Sequence, residues 1–581
     1  MIDRFAEALP FGAAISPEGQ VSFRLWAPDQ DAVAVAIESG PDLPMQRRPD
    51  GWFEAMRPGA VGLFYRFRLG EGTLVPDPAS RGQADDVHGP SVVIDPRAYR
   101  WRNPAWRGRP WQETVIYELH AGVFGGFQGV RQQLPRLREL GVTAVELMPV
   151  SDFPGGRNWG YDGVLPFAPD AAYGTPDDLK ALIDAAHGLG LMMFLDVVYN
   201  HFGPDGNYLG CYASPFFRQD AATPWGAAID FRCPQVRAYF TANVLYWLNE
   251  YRFDGLRFDA VHAILEQDWV TEMAETVRKS VDPSRHVHLM MEHHNDPSHL
   301  RGNIDAQWND DAHNALHVLL TGETGGYYAD YADWPAEALA RCLAEGWAFQ
   351  GQHCRYLGTK RGAPSADLPP TAHILFLQNH DQVGNRAFGE RLTVLADPAA
   401  LEAAIALQML CPQIPLLFMG EETASRSPFL FFTDHNADLA RIVCEGRRQE
   451  FVGFAAFADQ AQREKIPDPN AKATFEASAP SPDPALAQER QALYRHLIAL
   501  RQTEIVPRLA GARSIGSAVI GPKAVRAAWT LGDGSVLTIA CNLDRAAIPF
   551  PPPSGRQIFV SSTLRDELPG YCTAVFLGFE Q

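Results

Sequence analysis

The chain has 581 residues, which is too long for one ordinary hydrophobic core and predicts roughly two to four domains. Hydrophobic residues make up 46% and charged residues 20% of the chain, and no apolar run approaches the roughly 20 residues of a membrane span, so a soluble globular protein is expected. The net charge of -19 disfavours nucleic acid and anionic membranes as partners, and eight scattered cysteines without a C-x-x-C pair fit reduced thiols better than a disulfide or zinc framework.

The beginning of the chain, MIDRFAEALPFGAA, contains two acidic residues and no long apolar core. It therefore does not resemble a secretory signal, and a cytoplasmic location is expected. Residues 1–95 alternate short β-type runs with turns rich in proline and glycine; examples of these runs are VSFRLWA, AVAVAIE and LFYRFRL. This alternation predicts an N-terminal β-sandwich of the immunoglobulin-like type.

From about residue 112 the pattern changes to eight apolar runs separated by segments of helical periodicity. Strands that alternate with helices indicate a parallel sheet, and eight such units in about 390 residues predict an α/β fold, a (β/α)₈ barrel over residues 96–505. The predicted strands lie in TVIYELHAGVF, VTAVELMPV, GLMMFLDVVYN, FDGLRFDAVH, HVHLMMEHH, NIDAQWND, AHILFLQNH and IPLLFMGEE.

The end of the chain returns to β-type alternation after a helix predicted over 487–503. The runs KAVRAAWTL, SVLTIACNL and TAVFLGF predict a C-terminal antiparallel β domain over residues 506–581. The stretch 465–486 is rich in proline, alanine and aspartate and is expected to be a loop.

Polar residues cluster where the predicted barrel strands end, which is where barrels carry their chemistry. A single buried arginine and aspartate can simply pair for structural reasons. Several clusters at equivalent strand ends weaken that explanation and favour a functional site. The clusters are Asp196, Asn200 and His201 after the third strand; Arg257, Asp259 and His262 after the fourth; Glu292 after the fifth; and His380 and Asp381 after the seventh.

Carboxylates on neighbouring strand ends, with no nucleophilic serine or cysteine motif nearby, indicate acid–base and carboxylate-nucleophile chemistry. Glycoside hydrolysis needs such a set, because one carboxylate attacks the anomeric carbon while a second protonates the leaving oxygen. Arg257 precedes Asp259 by two residues, so both side chains point to the same side of a strand. The guanidinium is therefore expected to keep Asp259 ionised.

Four short motifs in this order resemble the conserved regions of the α-amylase superfamily, glycoside hydrolase family 13. They are DVVYNH (196–201), GLRFDAVH (255–262), MMEHHND (290–296) and FLQNHDQVGN (376–385). The resemblance implies that Asp259 is the nucleophile, Glu292 the general acid/base and Asp381 the third carboxylate, which holds sugar hydroxyls. It also implies a β-sandwich before the barrel and no required metal or cofactor, because the long calcium-binding insertion of some amylases is missing.

The resemblance further implies a set of substrate-binding residues around these carboxylates. Tyr161 matches the aromatic residue under the reacting sugar, and Trp159 and Trp308 lie in candidate active-site loops, where a flat ring could contact a pyranose. The polar cluster after the sixth strand is either a solvated loop or a set of sugar contacts, and the resemblance favours sugar contacts. The predicted substrate-binding residues are Trp159, Tyr161, His201, Arg257, His262, Asn309, Asp310, Asp311, His313, His380, Gln382 and Asn385.

Longer stretches are similar to the trehalose-releasing members of the superfamily, notably WNDDAHNALHVLLTGETGGYYADY (308–331). Such members cleave the α-1,4 bond next to the terminal trehalose unit of maltooligosyltrehalose. The resemblance thus implies maltooligosyltrehalose and related α-glucans as partners and a maltooligosyltrehalose synthase upstream. Two segments depart from the family's sequence pattern. HAGVFGGFQGV lacks the motif that the family usually has after the first strand, and EHHND carries His293 and His294 after the general acid.

Two other functions remain open at this point, and both are compatible with a β-sandwich and a barrel. A 1,4-α-glucan branching enzyme would transfer the chain to a 6-hydroxyl group, and a non-catalytic amylase-like subunit would only bind. The retained carboxylates and the missing membrane anchor argue against the subunit.

The roles of a few further residues also remain open. Asp162 either braces the barrel or contacts sugar, and Glu421 and Glu422 either cap a helix or face a subsite. His293 and His294 suggest a metal site only weakly, because adjacent residues on a strand point to opposite faces.

Overall fold

The computed structural model describes residues 5–579 except 39, 453 and 458. Its N-terminal part consists of two antiparallel sheets, as predicted for a β-sandwich. Along Val33–Ile37, for example, buried and partly exposed residues alternate, so one face of the strand packs into the core. The first sheet contains Gly12–Ile15, Gln20–Trp26, Trp52–Pro58 and Gln46–Arg47; the second contains Leu43–Pro44, Val33–Ile37, Phe64–Leu69, Leu74–Val75 and Ser91–Val92.

The central part is a closed parallel barrel, and each of its strands lies in one of the predicted apolar runs. The first strand pairs with both the second and the eighth, for example Ile116 with Ala144 and with Leu416, which closes the ring. The predicted (β/α)₈ barrel is confirmed. In order, the first to eighth barrel strands are Ile116–Leu119, Ala144–Leu147, Met192–Val197, Gly255–Phe258, His288–Met291, Ala306–Trp308, His373–Phe376 and Ile414–Phe418.

Helices cover the outer face of the barrel and separate successive strands, except the fifth and sixth, between which residues 292–305 form a 3₁₀ turn, His299–Arg301, and no α-helix. The helix that begins at Pro176 shows how the sequence starts such an element: Thr175 and Asp178 form a reciprocal capping box, and proline occupies the first turn. The α-helices are Gly126–Leu140, Pro176–Gly188, Pro234–Asn249, Gln267–Ser280, Asp310–Thr321, Pro335–Glu345, His380–Gly384, Leu392–Leu395, Pro398–Leu410, Ala437–Glu450, Gln460–Arg463, Lys472–Ala477 and Ala487–Leu500.

Short antiparallel hairpins lie in the loops that follow the second, third and sixth barrel strands, and these hairpins were not predicted. These loops follow the carboxyl ends of the strands, which is the end of the barrel where the polar residues lie. The paired strands are Ser151–Asp152 with Leu165–Pro169, Phe217–Thr223 with Gly226–Ile229, and Gln352–Cys354 with Thr359–Arg361.

The C-terminal part is a five-stranded antiparallel sheet with a small additional strand pair, which confirms the predicted antiparallel domain. Thr573 of this sheet donates a hydrogen bond to the Ala403 carbonyl, and Lys523 donates one to the Leu319 carbonyl, so the sheet is tied to barrel helices. Its strands are Arg513–Gly521, Ala524–Thr530, Val536–Asn542, Cys572–Gly578 and Arg556–Val560, and the pair is Ile548–Pro549 with Glu567–Leu568.

The barrel interior is layered. Side chains from the amino-terminal halves of the strands, including Ile116, Met192 and Phe194, form an apolar plug. Closer to the carboxyl ends, Glu118 of the first strand pairs in register with Glu146 of the second, and both side chains are buried. The interior therefore changes from apolar to ionisable towards the end that carries the loops. Within the described ranges, no helix has the length and apolar character needed to cross a bilayer.

Candidate active site

A cavity of about 530 Å³ opens at the carboxyl end of the barrel. Asp259, Glu292 and Asp381, the carboxylates predicted as catalytic, all lie in its wall. They come from different strand ends, so the parallel topology brings together residues that are far apart in sequence. The remaining lining residues are Asn158, Trp159, Tyr161, Asp162, His201, Trp225, Ala260, His262, His294, Asn385, Phe431, Arg447 and Glu450.

Arg257 organises the carboxylates from inside the barrel. Its Nη1 donates to Asp196 Oδ2 at 2.7 Å and to Asp259 Oδ1 at 2.8 Å, and its Nη2 donates to Glu292 Oε2 at 2.5 Å. The guanidinium carbon lies 4.0 Å from the centre of the Trp308 ring, which holds the buried cation in place. One fully buried cation thus places Asp259 and Glu292 side by side.

The backbone after the fourth strand turns sharply at Ala260. This residue has φ 39°, a left-handed conformation that is costly for a residue with a side chain. The turn points the Ala260 N–H at Glu292 Oε2, 3.4 Å away, and the Val261 N–H donates to the Glu292 carbonyl at 3.0 Å. The segment next to Asp259 is therefore also fixed to the general-acid candidate.

Burial and crowding set the protonation of the three carboxyl groups. Burial raises the pKa of Asp259 well above its usual range, and the charge of Glu292 adds to this rise while Arg257 opposes it. Burial also raises the pKa of Asp381, against the effect of His380. For Glu292, burial acts in the same direction, but Arg257 and His262 outweigh it and lower the pKa. The trio therefore holds less negative charge than three separate carboxylates would.

His380 lies behind Asp381 and connects it to the barrel interior. Its Nδ1 is 2.6 Å from Glu118 Oε1, its backbone N–H donates to Glu118 Oε2 at 3.0 Å, and its Nε2 is 2.7 Å from the Tyr161 hydroxyl. Burial lowers the pKa of His380, but Asp381 and Glu118 outweigh burial and raise it to about 9. The imidazolium is thus the second buried cation of the site.

Several residues predicted to bind substrate do line the cavity: Trp159, Tyr161, His201, His262 and Asn385. Tyr161 donates its hydroxyl proton to Asp196 Oδ2 at 2.6 Å, and its ring stacks against His380 with centroids 5.1 Å apart. Asn385 donates to Asp381 Oδ1 at 3.3 Å. These residues surround the predicted carboxylates.

Other predicted residues lie just behind the wall. Gln382 is partly buried and donates to Asp310 Oδ1 at 3.2 Å, while its own oxygen accepts from the Tyr327 hydroxyl. Burial raises the pKa of Asp310 to about 7, and the charge of Glu292 contributes to this rise. Asp310 is therefore electrostatically part of the site although it is not in the cavity wall.

Three residues of the predicted sugar-binding cluster are not brought to the cavity, because each is buried and satisfied elsewhere. Asn309 caps the helix Asp310–Thr321 through the Ala312 N–H and also binds the Gly346 carbonyl. Asp311 accepts from the Tyr331 hydroxyl and from the Phe349 N–H, and His313 Nδ1 contacts the Leu377 carbonyl. Placement after the sixth strand suggested sugar contacts, but the chain turns into a helix at once and carries them inward.

Trp308 also differs from its expected place in an active-site loop. It belongs to the sixth strand and is 1% exposed, so its ring packs beneath Arg257 instead of facing a sugar.

Glu421 and Glu422 face the protein interior. Glu421 accepts from the Tyr494 hydroxyl, and Glu422 binds Tyr117 and Arg136. Neither lies in the cavity wall.

The structure adds residues to the wall that sequence reasoning did not identify as binding residues. Trp225 comes from the hairpin after the third strand and stacks on His201 with centroids 5.2 Å apart. Arg447 and Glu450 come from the helix Ala437–Glu450. Phe431, Asn158 and Ala260 also line the cavity and were not predicted. A charged or aromatic residue in a long loop is a weak signal, because the path of the loop is set by tertiary contacts.

Asp162, whose role the sequence left open, is also part of the wall. It accepts from Asn158 Nδ2 at 2.6 Å, and His435 Nε2 lies 3.4 Å from its carboxylate. It thus braces the loop while facing the cavity.

The departure EHHND places a histidine pair beside the general-acid candidate. The rings of His294 and His262 stack with centroids 3.7 Å apart and planes inclined by 18°. Burial, together with the neighbouring His262 and Arg361, lowers the pKa of His294 to about 3, so the ring is neutral near pH 7. Across the residues that the structure covers, no group of three or more histidine, cysteine or acidic side chains is arranged to hold a metal ion.

Two parts of the chain match known domain families. Residues 77–214 match the family model "Alpha amylase, catalytic domain", and residues 512–576 match a domain of unknown function, DUF3459. A crystal structure from Salmonella typhimurium, of a protein assigned as an alpha amylase, superposes with a TM-score of 0.93 at 43% identity and covers 98% of this chain and 100% of that chain.

Named relatives are similar over most of their length. The malto-oligosyltrehalose trehalohydrolase of Deinococcus radiodurans is 42% identical over 479 residues, which cover 81% of this chain and 77% of the relative. The enzyme of the same name from Saccharolobus solfataricus is 39% identical over 456 residues, covering 76% of this chain and 80% of the relative. The chain therefore belongs to the malto-oligosyltrehalose trehalohydrolase family of the α-amylase superfamily.

Proposed function

We propose that this protein is a retaining glycoside hydrolase that cleaves the α-1,4-glucosidic bond next to the terminal trehalose unit of maltooligosyltrehalose. The products are trehalose and a maltooligosaccharide. The observation that carries this proposal is the pair Asp259 and Glu292, held side by side by Arg257 in the wall of one cavity, in a chain that belongs to the trehalohydrolase family.

In the first step, Asp259 Oδ attacks the anomeric carbon of the glucosyl residue whose bond is cleaved. The bond to the trehalose oxygen breaks, and Glu292 gives its proton to that oxygen, so trehalose leaves neutral and a glycosyl ester forms on Asp259. Arg257 donates to both carboxyl groups, so it stabilises the ionised nucleophile and the carboxylate that Glu292 becomes.

In the second step, the ionised Glu292 removes a proton from a water molecule that enters in place of trehalose. The water oxygen attacks the same anomeric carbon, the ester bond to Asp259 breaks, and the maltooligosaccharide leaves in its original α configuration. Each carboxyl group returns to its starting protonation. This mechanism needs the proton on Glu292 and an ionised Asp259, whereas in the structure burial raises the pKa of Asp259, and for Glu292 the effects of Arg257 and His262 outweigh burial and lower the pKa. The proton must therefore pass from Asp259 to Glu292 as substrate binds.

The other wall residues divide according to which carboxylate they accompany. His262 and His294 would contact the trehalose unit, because their stacked rings lie on the side of Glu292, which protonates that leaving group. Trp225 stacks on His201 and would accompany the reacting glucosyl residue. Tyr161 and His201 would hold the reacting glucosyl residue. Asp381 would bind its hydroxyls, with Asn385 and His380 holding the Asp381 carboxylate. Gln382 would act from behind the wall through its hydrogen bond to Asp310.

Three broader expectations belong to the same proposal. We infer a division into an N-terminal β-sandwich (1–95), a catalytic barrel (96–505) and a C-terminal β domain (506–581). We also infer a cytoplasmic location and a supply of substrate by a maltooligosyltrehalose synthase, because a hydrolase of this specificity needs an enzyme that makes the terminal trehalose linkage. The negative net charge of -19 supports a neutral sugar substrate over nucleic acid.

The test compares maltotriosyltrehalose with maltopentaose as substrates and resolves the sugars by chromatography. Rapid release of trehalose from the first substrate and slow cleavage of the second are expected. Equal cleavage of both would contradict the proposal and indicate a general amylase, and formation of α-1,6 branches would indicate a branching enzyme. The variant Asp259→Asn serves as the inactive control for contaminating glycosidases.

A further inference from the structure

Glu146, in the second barrel strand, is a buried acidic residue that the proposed mechanism does not use. It is 1% exposed, and neither of its carboxyl oxygens has a hydrogen-bond partner among the described residues. Ala144, two residues earlier, belongs to the apolar plug, so Glu146 points into the barrel from the same face of the strand. A buried acidic side chain without a partner is unusual in a folded protein and calls for an explanation.

The charged groups around Glu146 determine its protonation. Glu118 lies beside it in register on the first strand, and both Glu118 oxygens already accept from the ring and backbone N–H of His380. Burial raises the pKa of Glu146 well above its usual range, and the negative charges of Glu118 and Asp196 add to this rise. The positive charges of Arg257 and His380 oppose the rise without reversing it. Glu146 is therefore a neutral carboxylic acid, which can donate one hydrogen bond.

A buried acceptor that lacks a donor lies one layer higher, on the third strand. Phe194 pairs in register with Glu146, so Asp196, two residues further on the same face, is about 8 Å away between Cα atoms. Asp196 Oδ2 accepts from Arg257 Nη1 at 2.7 Å and from the Tyr161 hydroxyl at 2.6 Å. Its Oδ1 is buried and has no partner in the described part of the chain. A neutral acid without an acceptor thus neighbours an acceptor without a donor.

Asp196 is linked to the reacting carboxyl groups through Arg257. Arg257 Nη1 donates to both Asp196 and Asp259, and the same guanidinium donates to Glu292 through Nη2. Burial raises the pKa of Asp196 to about 6, against the effects of Arg257 and His380. A donor at Oδ1 favours the ionised form of Asp196. Loss of that donor would let Asp196 take up a proton near neutral pH and weaken its hold on Arg257.

We propose that Glu146 is a positioning residue that keeps its proton throughout the reaction and serves as the hydrogen-bond donor for Asp196 Oδ1, directly by rotation of its side chain or through one buried water molecule. It thereby keeps Asp196 ionised and Arg257 in contact with Asp259 and Glu292. The proposal rests on the trehalose-releasing function proposed above. It predicts that the reaction needs the donor group at position 146 and does not need a negative charge there.

The experiment compares two uncharged replacements of Glu146. Glu146→Gln keeps a donor at nearly the same place, whereas Glu146→Met keeps a similar volume and has no donor. For trehalose release from maltotriosyltrehalose, Glu146→Gln should keep kcat within about threefold of the wild type, and Glu146→Met should lower kcat about 10- to 100-fold. The acidic limb of the pH profile of kcat should move to higher pH in Glu146→Met alone, because Asp196 then takes up a proton more readily.

Stability reports independently on the protonation of Glu146. At pH 7 the unfolded chain ionises this carboxyl group, while the folded protein must hold its proton, so the folded state loses stability as the pH rises above about 4.5. Both variants remove this cost and should unfold at the wild-type temperature or higher at pH 7. The matched control is Glu421→Met, because Glu421 is also buried but accepts from the Tyr494 hydroxyl and the Phe418 N–H. This control should unfold at a lower temperature without moving the acidic limb.

The possible outcomes separate this inference from the proposed function. A wild-type enzyme that releases no trehalose would overturn the proposed function. With an active wild type, equal losses of kcat in Glu146→Gln and Glu146→Met would overturn the donor role and indicate that an ionised Glu146 acts on the unpartnered Nε of Arg257 instead. A folded Glu146→Met variant with the wild-type kcat and acidic limb would also overturn it. If Glu146→Met does not fold, Glu146→Gln still decides, because reduced activity or a lower unfolding temperature in that variant contradicts a neutral Glu146.

Discussion

The contact between Glu118 and His380 offers a sharp test of the electrostatics of the site. Glu118 is 1% exposed and accepts from both the ring and the backbone N–H of His380. Glu118→Gln keeps the shape of the side chain but removes its charge and replaces one acceptor oxygen with an NH₂ group. One N–H of His380 then faces a donor, and no water can replace the lost acceptor.

The expected size follows from the raised pKa of His380. A change from 6.5 to about 9 corresponds to about 3 kcal/mol in favour of the protonated ring. Burial opposes this preference, so Asp381 and Glu118 must supply it together. Since one nearby opposite charge shifts a pKa by roughly 1–3 units, loss of the Glu118 charge should bring the His380 pKa down into the neutral range.

The assay is the dependence of kcat on pH, measured from roughly pH 5 to 10. The variant should lose activity at a lower pH than the wild type on the basic side, and its maximal kcat should fall about 10- to 100-fold, the equivalent of a hydrogen bond to a charged group. Titration of the His380 ring by NMR should show the same downward shift of its pKa.

A matched control is available in Glu422, another buried glutamate, which binds Tyr117 and Arg136 away from the cavity. Glu422→Gln should lower the unfolding temperature without moving the basic limb of the pH profile. The reasoning would be refuted if folded Glu118→Gln kept the wild-type basic limb, because the charge of Glu118 would then have no part in holding the proton on His380.

Further predictions concern the chemistry and the stability of the site. Asp259→Asn and Glu292→Gln should each lower kcat by several orders of magnitude with little change in fold; a variant that keeps more than about a tenth of the activity would contradict its assigned role. Proton NMR of fresh reaction mixtures should first show the released maltooligosaccharide as its α-anomer, and an initial β-anomer would exclude Asp259 as the nucleophile. Asn309→Ala should reduce the free energy of unfolding by about 1–3 kcal/mol while KM stays nearly constant, since Asn309 caps a buried helix; a large rise in KM alone would restore it as a sugar contact. Because the pKa of His380 is higher in the folded state, its stabilising contribution should be complete below pH 6.5 and lost as the pH rises through about 9, which thermal denaturation across this range can check.

The barrel could be predicted because its strands carry a strong local signal. Buried parallel strands are continuous apolar runs, and in this chain such runs alternate with helical segments. Charges inside or directly after these runs then stand out. Arg257 and Asp259 were expected to lie on the same side of a strand, and in the structure Arg257 Nη1 donates to Asp259 Oδ1 at 2.8 Å.

The same reasoning could have found Glu118. It lies inside the apolar run VIYELHAGVF, where a charge is as unusual as Arg257 is in its own strand. Its partner His380 is 262 positions away, so no local pattern identifies the contact. A charge within a predicted barrel strand is thus a useful signal even when its partner is unknown.

The parts of the site built by loops could not be predicted in this way. Trp225 reaches the cavity only because a hairpin folds back after the third strand, and Arg447 reaches it from a helix far along the chain. The prediction for Asn309 erred in the opposite way. Its position after a strand suggested that it lines the cavity, but its side chain caps the helix Asp310–Thr321. Local sequence therefore indicates which residues can cap a helix, but it does not predict the path of a loop.

The balance of charge inside the barrel explains why these carboxyl groups can coexist. Glu118, Asp196, Asp259, Glu292 and Asp381 surround the buried cations Arg257 and His380, so carboxyl groups outnumber the cations that contact them. Burying further unpaired negative charge would be costly, and the site avoids that cost by holding protons. Burial raises the pKa values of Asp259 and Asp381, and the neighbouring carboxylates raise them further. Because the proposed mechanism needs one proton on the Asp259–Glu292 pair, a further cation beside the pair would lower both pKa values and remove the proton that the departing sugar needs.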